Sequence, residues 1–285
     1  MLTLAWGERC DTPCALLLGG FDGLHIGHRA LLGEAKRTGL PVCITTILGG
    51  KSGTLFTEEE RTHIFEQAGI DSVLEIVFTN DFKAISAEDF LALLFRKIQA
   101  KAIFCGEDFR FGCGALGTPE LLKKLAPCPV TALSLLEKEG KKVSVSLIKR
   151  LLQAGDLPAV NALLGNYFIQ GKVEHGRQVG RTYGFPTLNL SVPEEKLLPP
   201  DGVYAGFAET PKGRYKTIIN IGARPTFGIK ERKIESYLEG FSGDLYGATV
   251  RIGVTGFLRP IMRFSSPEML KEQLEKDKRS LKNVL

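Results

Sequence analysis

Two histidines three residues apart, His25 and His28, lie inside a glycine-rich run, Gly19-Gly20-Phe21-Asp22-Gly23-Leu24-His25-Ile26-Gly27-His28. The chain has only four histidines, so half of them fall in this one stretch. Imidazole or imidazolium N–H groups held side by side would stabilise charge building on a transferring phosphoryl group. Glycines such as Gly20 let the backbone approach a phosphate closely, and Gly27 keeps the space between the two rings open. Further along, Thr187 and Asn189 are two apart, so on a strand they face the same side.

Such a turn needs a strand to end it and a helix to begin it, because open α/β sheets bind ligands at strand carboxyl ends and helix N-termini. The surrounding pattern supplies both. Ala15–Gly19 reads as a buried strand and Arg29–Arg37 as a helix stopped by Gly39. Val42–Ile47 is the next strand, and Thr57-Glu58-Glu59-Glu60 is a capping box opening a helix that ends at Gly69. Ser72–Phe78 is a strand. Ser86-Ala87-Glu88-Asp89 starts a helix running toward Ala100, and Ala102–Cys105 is a strand again. Thr118-Pro119-Glu120 pairs an N-cap residue with proline at the first helical position, and Val130–Leu133 closes the series. This alternation predicts a parallel sheet covered on both faces.

Two short helices follow, Ser146–Ala154 and Leu157–Leu164, separated by Gly155-Asp156. After Gly165 the texture changes. Strand-like runs at Tyr167–Val173, Gly202–Ala208, Lys216–Ile221, Ile234–Glu239 and Thr249–Leu258, broken by Gly and Pro, predict a small antiparallel barrel or sandwich. Ser266-Pro267-Glu268 caps a last helix to about Lys282. The expected organisation is a first domain over residues 1–155, a linker helix over 156–165 and a second domain over 166–285.

At 285 residues the chain is long enough for about two domains. Hydrophobic residues make up 44% and charged residues 24%, the proportions of an ordinary soluble protein. No apolar run reaches the ~18 residues of a membrane span, and the order of charge and apolar residues at the N-terminus is not that of a signal peptide. A cytoplasmic protein is expected. The six cysteines stop at Cys128 and include no C-x-x-C pair, against a disulfide framework, and a zinc site is not expected. Residues 1–165 hold 18 Lys+Arg and 19 Asp+Glu, whereas residues 166–285 hold 19 and 13. The basic second half suits a phosphate-bearing ligand, a nucleic acid or nothing more than a solvated surface, and charge alone does not choose among them.

The run Phe21 to His28 resembles the nucleotidyltransferases whose H-x-G-H motif acts at the α-phosphate of ATP, and more narrowly the start of the bacterial bifunctional riboflavin kinase/FAD synthetases. Gly106-Glu107-Asp108-Phe109-Arg110-Phe111-Gly112 also fits that family. The resemblance implies a Rossmann-like α/β nucleotidyltransferase domain. Its ATP and flavin site would draw on Gly20, Phe21, Asp22, Gly27, Asp108, Phe109 and Arg110, with His25 and His28 catalytic. Two segments depart from the family. Its aspartate-proline-histidine-proline segment has no counterpart in Thr45-Thr46-Ile47-Leu48-Gly49-Gly50-Lys51. Its serine-serine-threonine stretch with a following arginine, which holds the outer phosphates, matches Val143-Ser144-Val145-Ser146-Leu147-Ile148-Lys149-Arg150. Ser144, Ser146 and Lys149 keep part of that set. Val145 lacks the central hydroxyl, and a lysine is a point charge rather than a bidentate fork.

In the second half, Gly180-Arg181-Thr182-Tyr183-Gly184-Phe185-Pro186-Thr187-Leu188-Asn189 resembles the riboflavin kinase signature. Asn220-Ile221-Gly222-Ala223-Arg224-Pro225-Thr226-Phe227-Gly228, Ile234-Glu235-Ser236-Tyr237-Leu238 and Asp244-Leu245-Tyr246-Gly247 follow in the family's order. Thr187 and Asn189 offer neutral oxygens that suit Mg²⁺ held mainly by nucleotide phosphates. By the resemblance Glu235 is the catalytic base for the riboflavin 5′-hydroxyl. Gly180, Gly184, Pro186, Asn220 and Arg224 join the ATP and flavin contacts, on a small antiparallel β-barrel with a C-terminal helix. Arg259 is either a phosphate contact or a surface salt-bridge residue.

The expected activity is phosphorylation of riboflavin to FMN, then adenylylation of FMN to FAD and pyrophosphate, with riboflavin, FMN and ATP as partners, Mg²⁺ as cofactor, and neither nucleic acid nor membrane. No oligomeric state follows from the sequence. Two rivals stand beside it. One is a riboflavin kinase with a degenerate first domain, and the other a non-enzymatic flavin- or nucleic-acid-binding regulator. Flavin products separate the first rival, and steeply salt-dependent binding would favour the second.

Overall fold

The computed structural model describes residues 1–49, 53–134, 136–138, 140–175, 186–223 and 232–284. Its contacts divide it into two compact units, Met1–Val145 and Ser146–Leu285.

In the first unit, β1 (Leu2–Ala5), β2 (Cys10–Leu17), β3 (Val42–Leu48), β4 (Ser72–Val77), β5 (Ile98–Gly106) and β6 (Val130–Leu133) form one sheet. The strand order is β1-β4-β3-β2-β5-β6 and every pairing is parallel. Burial explains the sequence of these strands. Ala15, Leu16 and Leu17 are all fully buried, as a run covered on both faces must be. On one face Ala15, Leu17, Ile44 and Val73 meet Leu31, Leu32 and Ala35 of α1 (Ile26–Arg37) and Phe65 of α2 (Glu58–Gln67). On the other, Leu16, Cys43 and Leu74 meet Phe90, Leu91 and Leu94 of α4 (Ala87–Lys97) and Leu122 of α5 (Pro119–Leu125). The short α3 spans Asn80–Ala84. Thr57 and Glu60 form the expected capping box, and Ser86 and Thr118 cap α4 and α5. The six cysteines are free thiols, four of them buried.

This topology positions the site. From β2 the chain moves outward through β3 to β4. It then returns to the other side of β2 as β5, where Leu17 lies opposite Phe104. The strand order reverses there, and the segments after β2 and β5 flank one crevice. Two details differ from the sequence pattern. The fourth helix stops at Lys97 rather than near Ala100, because β2 reaches back far enough to pair Cys10 with Ile98 and Cys14 with Ala100. A hairpin of two-residue strands, β7 (Glu137–Lys138) and β8 (Lys141–Lys142), follows β6.

The second unit contains α6 (Val145–Gln153), α7 (Leu157–Leu164) and a closed barrel. The barrel strands are β9 (Phe168–Glu174), β10 (Thr187–Ser191), β11 (Gly202–Thr210), β12 (Gly213–Ala223), β13 (Arg232–Leu238) and β14 (Thr249–Arg259). Around the barrel the order is β10-β13-β12-β11-β14-β9, all antiparallel. Six strands close it where five runs stood out in sequence. The sixth, β10, buries only Leu190 of its five residues. The segment 156–165 is built into this unit. Asp156 caps α7, and the Asn161 amide donates to the Val254 carbonyl (2.9 Å) and accepts from the Tyr167 N–H (2.7 Å). The last helix, α8 (Pro267–Val284), lays Leu274 and Leu281 against Val203, Ala205, Ile218 and Tyr237. A helix packs on the outside of so small a barrel, so these strand residues mark its outer face.

Candidate active sites

The glycine-rich turn leaves β2 and wraps a cavity of about 310 Å³. Gly20, Phe21, His25, Gly27, His28, Asp108, Phe109, Arg110 and Ser144 all line it. Thr45 of β3 staples the start of the turn, its hydroxyl accepting from the Gly19 N–H (3.1 Å) and donating to the Gly19 carbonyl (2.9 Å). Gly23 is required by its surroundings. Its φ is +108°, and a Cβ there would come within 2.6 Å of the Phe56 ring.

The two histidines are held as unlike partners. His25 is the N-cap of α1, and its Nδ1 accepts from the His28 backbone N–H at 3.2 Å. In the neutral ring the hydrogen therefore sits on Nε2. His28 Nδ1 faces the Gly23 carbonyl at 2.8 Å. A carbonyl only accepts, so this nitrogen carries the hydrogen and Nε2 keeps a lone pair. The rings stack with centroids 3.6 Å apart, and Phe21 packs against His28 from 4.4 Å. Burial drives the His25 pKa down to about 4, against a smaller opposite pull from the Asp108 carboxylate. Burial and then the neighbouring His25 charge lower His28 to about 3. Both rings are neutral at pH 7. In that state His25 presents an Nε2–H donor, and His28 becomes a second donor only when protonated.

Around them, Asp108 pairs with Lys142 of β8 at 2.5 Å, and both residues line the cavity. The Arg110 guanidinium turns back on its own loop and donates to the Phe109 carbonyl at 2.8 Å. Phe109 stacks on Phe111, whose ring packs against Phe90. Asp22 does not line the cavity. Its carboxylate accepts from the Leu55 and Phe56 N–H groups (3.1 and 3.3 Å) and lies 3.9 Å from Arg61. Its place is to anchor the segment before α2. Ser146 and Lys149 belong to α6 and fall in the second compact unit.

The second candidate site is a cavity of about 200 Å³ on the outer face of the barrel. Register brings its polar residues together. Glu235 of β13 lies opposite Asn189 of β10 on one side and Asn220 of β12 on the other. Directly opposed residues of antiparallel strands point to the same face. Thr187, two residues before Asn189, is opposite Tyr237. Thr187, Asn220, Glu235 and Tyr237 all line the cavity, and Ile261, Met262, Phe264, Leu270 and Leu274 form its apolar side. The Asn220 Oδ1 is buried with no hydrogen-bond partner among the described residues. Pro186 is exposed immediately before β10. Gly180, Gly184 and Arg224 lie outside the described residues.

One residue of these sites has no signal in sequence, and for Arg259 the sequence leaves two roles open. Lys142 reaches the first cavity from a hairpin too short to show a period. Arg259 lines the second cavity while bound by Nε and Nη2 to Asp277 of α8 (2.8–3.1 Å). Asp277 also accepts from Gln273 and is 3% exposed. Arg259 is thus a salt-bridge residue, in a buried pair that ties α8 to β14.

The FAD synthetase family profile matches residues 7–147 and the riboflavin kinase profile residues 163–285. A bifunctional riboflavin kinase/FMN adenylyltransferase of Bacillus subtilis is 34% identical, with 92% of this chain and 90% of the relative covered. The protein of the same description from Escherichia coli K12 is 32% identical, covering 93% and 90%. A crystal structure of a macrolide-efflux protein from Streptococcus pneumoniae superposes with a TM-score of 0.90 at 27% identity over 99% of both chains. Among the described residues of the present chain no helix is long and apolar enough to cross a membrane. With two matched domains in this order, a histidine pair at the sheet's switch point, and relatives above 30% identity along nearly its whole length, the chain belongs to the bifunctional riboflavin kinase/FMN adenylyltransferase family.

Proposed function

We propose that the barrel unit transfers the γ-phosphoryl group of ATP to riboflavin, giving FMN, and that the sheet unit joins FMN to the adenylyl group of a second ATP, giving FAD and pyrophosphate. The observation that carries this reading is the cross-strand row Asn189–Glu235–Asn220, a carboxylate between two amides at the edge of an apolar cavity. Riboflavin's 5′-hydroxyl is a poor nucleophile, and Glu235 takes its proton as it attacks. The apolar side of the cavity suits a flat ring system. Thr187 and Asn189 would hold Mg²⁺, which supplies charge neutralisation on the phosphates. Their neutral oxygens fit a cation bound chiefly by phosphate, and the orphaned Asn220 Oδ1 is a third acceptor in the same row.

In the sheet unit the nucleophile is a phosphate of FMN, already ionised at neutral pH, so no general base is required. His25 donates from Nε2 to the α-phosphoryl oxygens as charge builds, and His28 joins it once protonated. Asp108, Phe109 and Arg110 form the opposite wall. An intact histidine pair in a formed cavity speaks against a domain that has lost this chemistry, and Glu235 in its row against a regulator with none. The substrates and free thiols fit the cytoplasm, and no nucleic-acid partner is needed. Incubation with riboflavin and MgATP, with flavins resolved by chromatography, should give FMN and then FAD. FMN alone would support the kinase-only rival, and no product would overturn the reading.

A further inference from the structure

We propose that Asp22 is a positioning residue for His28: it pins the glycine-rich turn to the segment before α2 and so holds the Gly23 carbonyl against His28 Nδ1. The inference rests on the adenylyltransfer reading above. Asp22 belongs to the turn that wraps the first cavity, yet its side chain leaves that cavity for a mostly buried position. Its carboxylate accepts from the N–H groups of Leu55 and Phe56, themselves fully buried, and has the buried Arg61 guanidinium 3.9 Å away. Hydrogen bonds from backbone N–H groups to an ionised carboxylate are among the stronger ones a fold makes. The helix that follows does not need them, because α2 has a complete capping box of its own in Thr57 and Glu60. What Asp22 fixes is therefore the turn.

The backbone on both sides of Asp22 shows what the anchor holds. Phe21 has φ +27° and Gly23 φ +108°. A non-glycine residue in that region is strained and keeps its conformation only where its surroundings impose it. Asp22 imposes it from the next position, and the Phe56 ring, which leaves no room for a side chain at residue 23, closes on Gly23. Both unusual residues end on His28. The Phe21 ring, 1% exposed, packs on the imidazole with centroids 4.4 Å apart, and the Gly23 carbonyl lies 2.8 Å from Nδ1. His28 is thus held on one face and at one nitrogen by the two neighbours of Asp22. The carbonyl keeps the hydrogen on Nδ1, aims Nε2, and opposes the burial that resists charging of the ring. With the turn released, the Gly23 peptide is free to rotate away, and His28 loses its tautomer and its direction together.

The test uses full-length protein carrying Asp22→Asn, which keeps one acceptor and turns a donor toward the other N–H. FAD formation from FMN and ATP should lose about 10- to 100-fold in kcat, the cost of a catalytic group misplaced by about an ångström, with KM for both substrates within about threefold. With only four histidines, imidazole proton–nitrogen correlation spectra separate the tautomers, and His28→Gln identifies the His28 signals. These should show hydrogen on Nδ1 in the wild type and a mixture of both tautomers in Asp22→Asn. The His25 signals should stay those of hydrogen on Nε2, which with the retained KM values reports that the first unit is folded. Phe56→Leu leaves the two Asp22 hydrogen bonds in place and withdraws the ring from Gly23. It should shift both readouts in the same direction, and it decides the matter if Asp22→Asn does not fold. A lower unfolding midpoint with kcat and tautomer unchanged would overturn the inference and leave Asp22 a structural residue, as would a loss expressed in KM alone. Absence of FAD from the wild-type reaction would overturn the adenylyltransfer reading, whereas the tautomer spectra test the positioning separately.

Discussion

Gly27→Ala sets two effects of similar size against each other. Gly27 lies in the first turn of α1, where alanine would ordinarily stabilise the helix by about 0.5–1 kcal/mol. Here the added Cβ would come 3.1 Å from His25 Cε1 and 3.2 Å from Nδ1, closer than the ring tolerates unless it moves. The ring has little room to do so. It is stacked on His28 at 3.6 Å and accepts the His28 N–H that caps the helix. Pushing it aside weakens a cap worth about 0.5–2 kcal/mol, so the net stability change should be within about 1.5 kcal/mol of zero. Catalysis should not share that cancellation, because a displacement of a few tenths of an ångström moves the Nε2–H donor off the transferring group. FAD formation from FMN and ATP should fall roughly 10- to 100-fold. Conversion of riboflavin to FMN should be unchanged, and the thermal unfolding midpoint should move by only a few degrees. FAD formation within twofold of wild type would refute the argument that His25 acts from the position that Gly27 leaves open.

Glu235→Gln should lower FMN formation by at least the ~10²-fold of a lost general base, with riboflavin binding retained by fluorescence titration; near-normal turnover would end its assignment as the base. Thr187→Ala with Asn189→Ala removes two neutral oxygens without adding charge, so the kinase step should need far more Mg²⁺ or stop, and an unaltered Mg²⁺ titration would make these residues structural. The buried histidines also make a pH prediction. His25 keeps its proton off until about pH 4 in the folded chain but takes it up near pH 6.5 when unfolded. It therefore has no effect above pH 6.5, and stability should decline as pH falls from there to about 4. The loss is on the order of 3 kcal/mol. Urea midpoints across that range should flatten in a His25→Gln variant, and an equal slope in both proteins would contradict the burial argument.

What could be read from the sequence was what is decided locally. The placement of His25 and His28 between a strand and a helix, the capping box at Thr57 and Glu60, and the shared face of Thr187 and Asn189 each depend on a few adjacent residues. What could not be read depends on partners far along the chain. Asp22 looked like a ligand residue because of its motif, yet its hydrogen bonds go to residues 33 and 34 positions away. Arg259 carried no sign of Asp277, and the Asn189–Glu235–Asn220 row exists only once three strands are in register. Strand β5 begins inside what looked like a helix because residues at the start of β2 offer it a partner. Lys142 sits on a strand of two residues, where no periodicity can exist.

The two sites differ because their nucleophiles differ. A hydroxyl must lose its proton while it attacks, so the barrel needs a carboxylate, and a carboxylate near a triphosphate must be offset by a cation. That combination is expected on the outer barrel face, where Thr187, Asn189 and Asn220 share a face with Glu235 across neighbouring strands and offer neutral oxygens. In the sheet the nucleophile arrives already charged, and a base would only repel it. The demand there is a donor that responds to charge as it develops. A buried neutral histidine would meet it. On the reading proposed for the sheet unit, the burial that lowers its pKa to about 4 would keep His25 from binding the ground-state phosphate as a full cation, whereas negative charge accumulating on the α-phosphoryl oxygens would draw its Nε2–H closer. An interaction that strengthens toward the transition state lowers the barrier, and one that is equally strong in the ground state only tightens binding. On that reading, the same burial that makes this ring costly to protonate is what would make it useful to the chemistry.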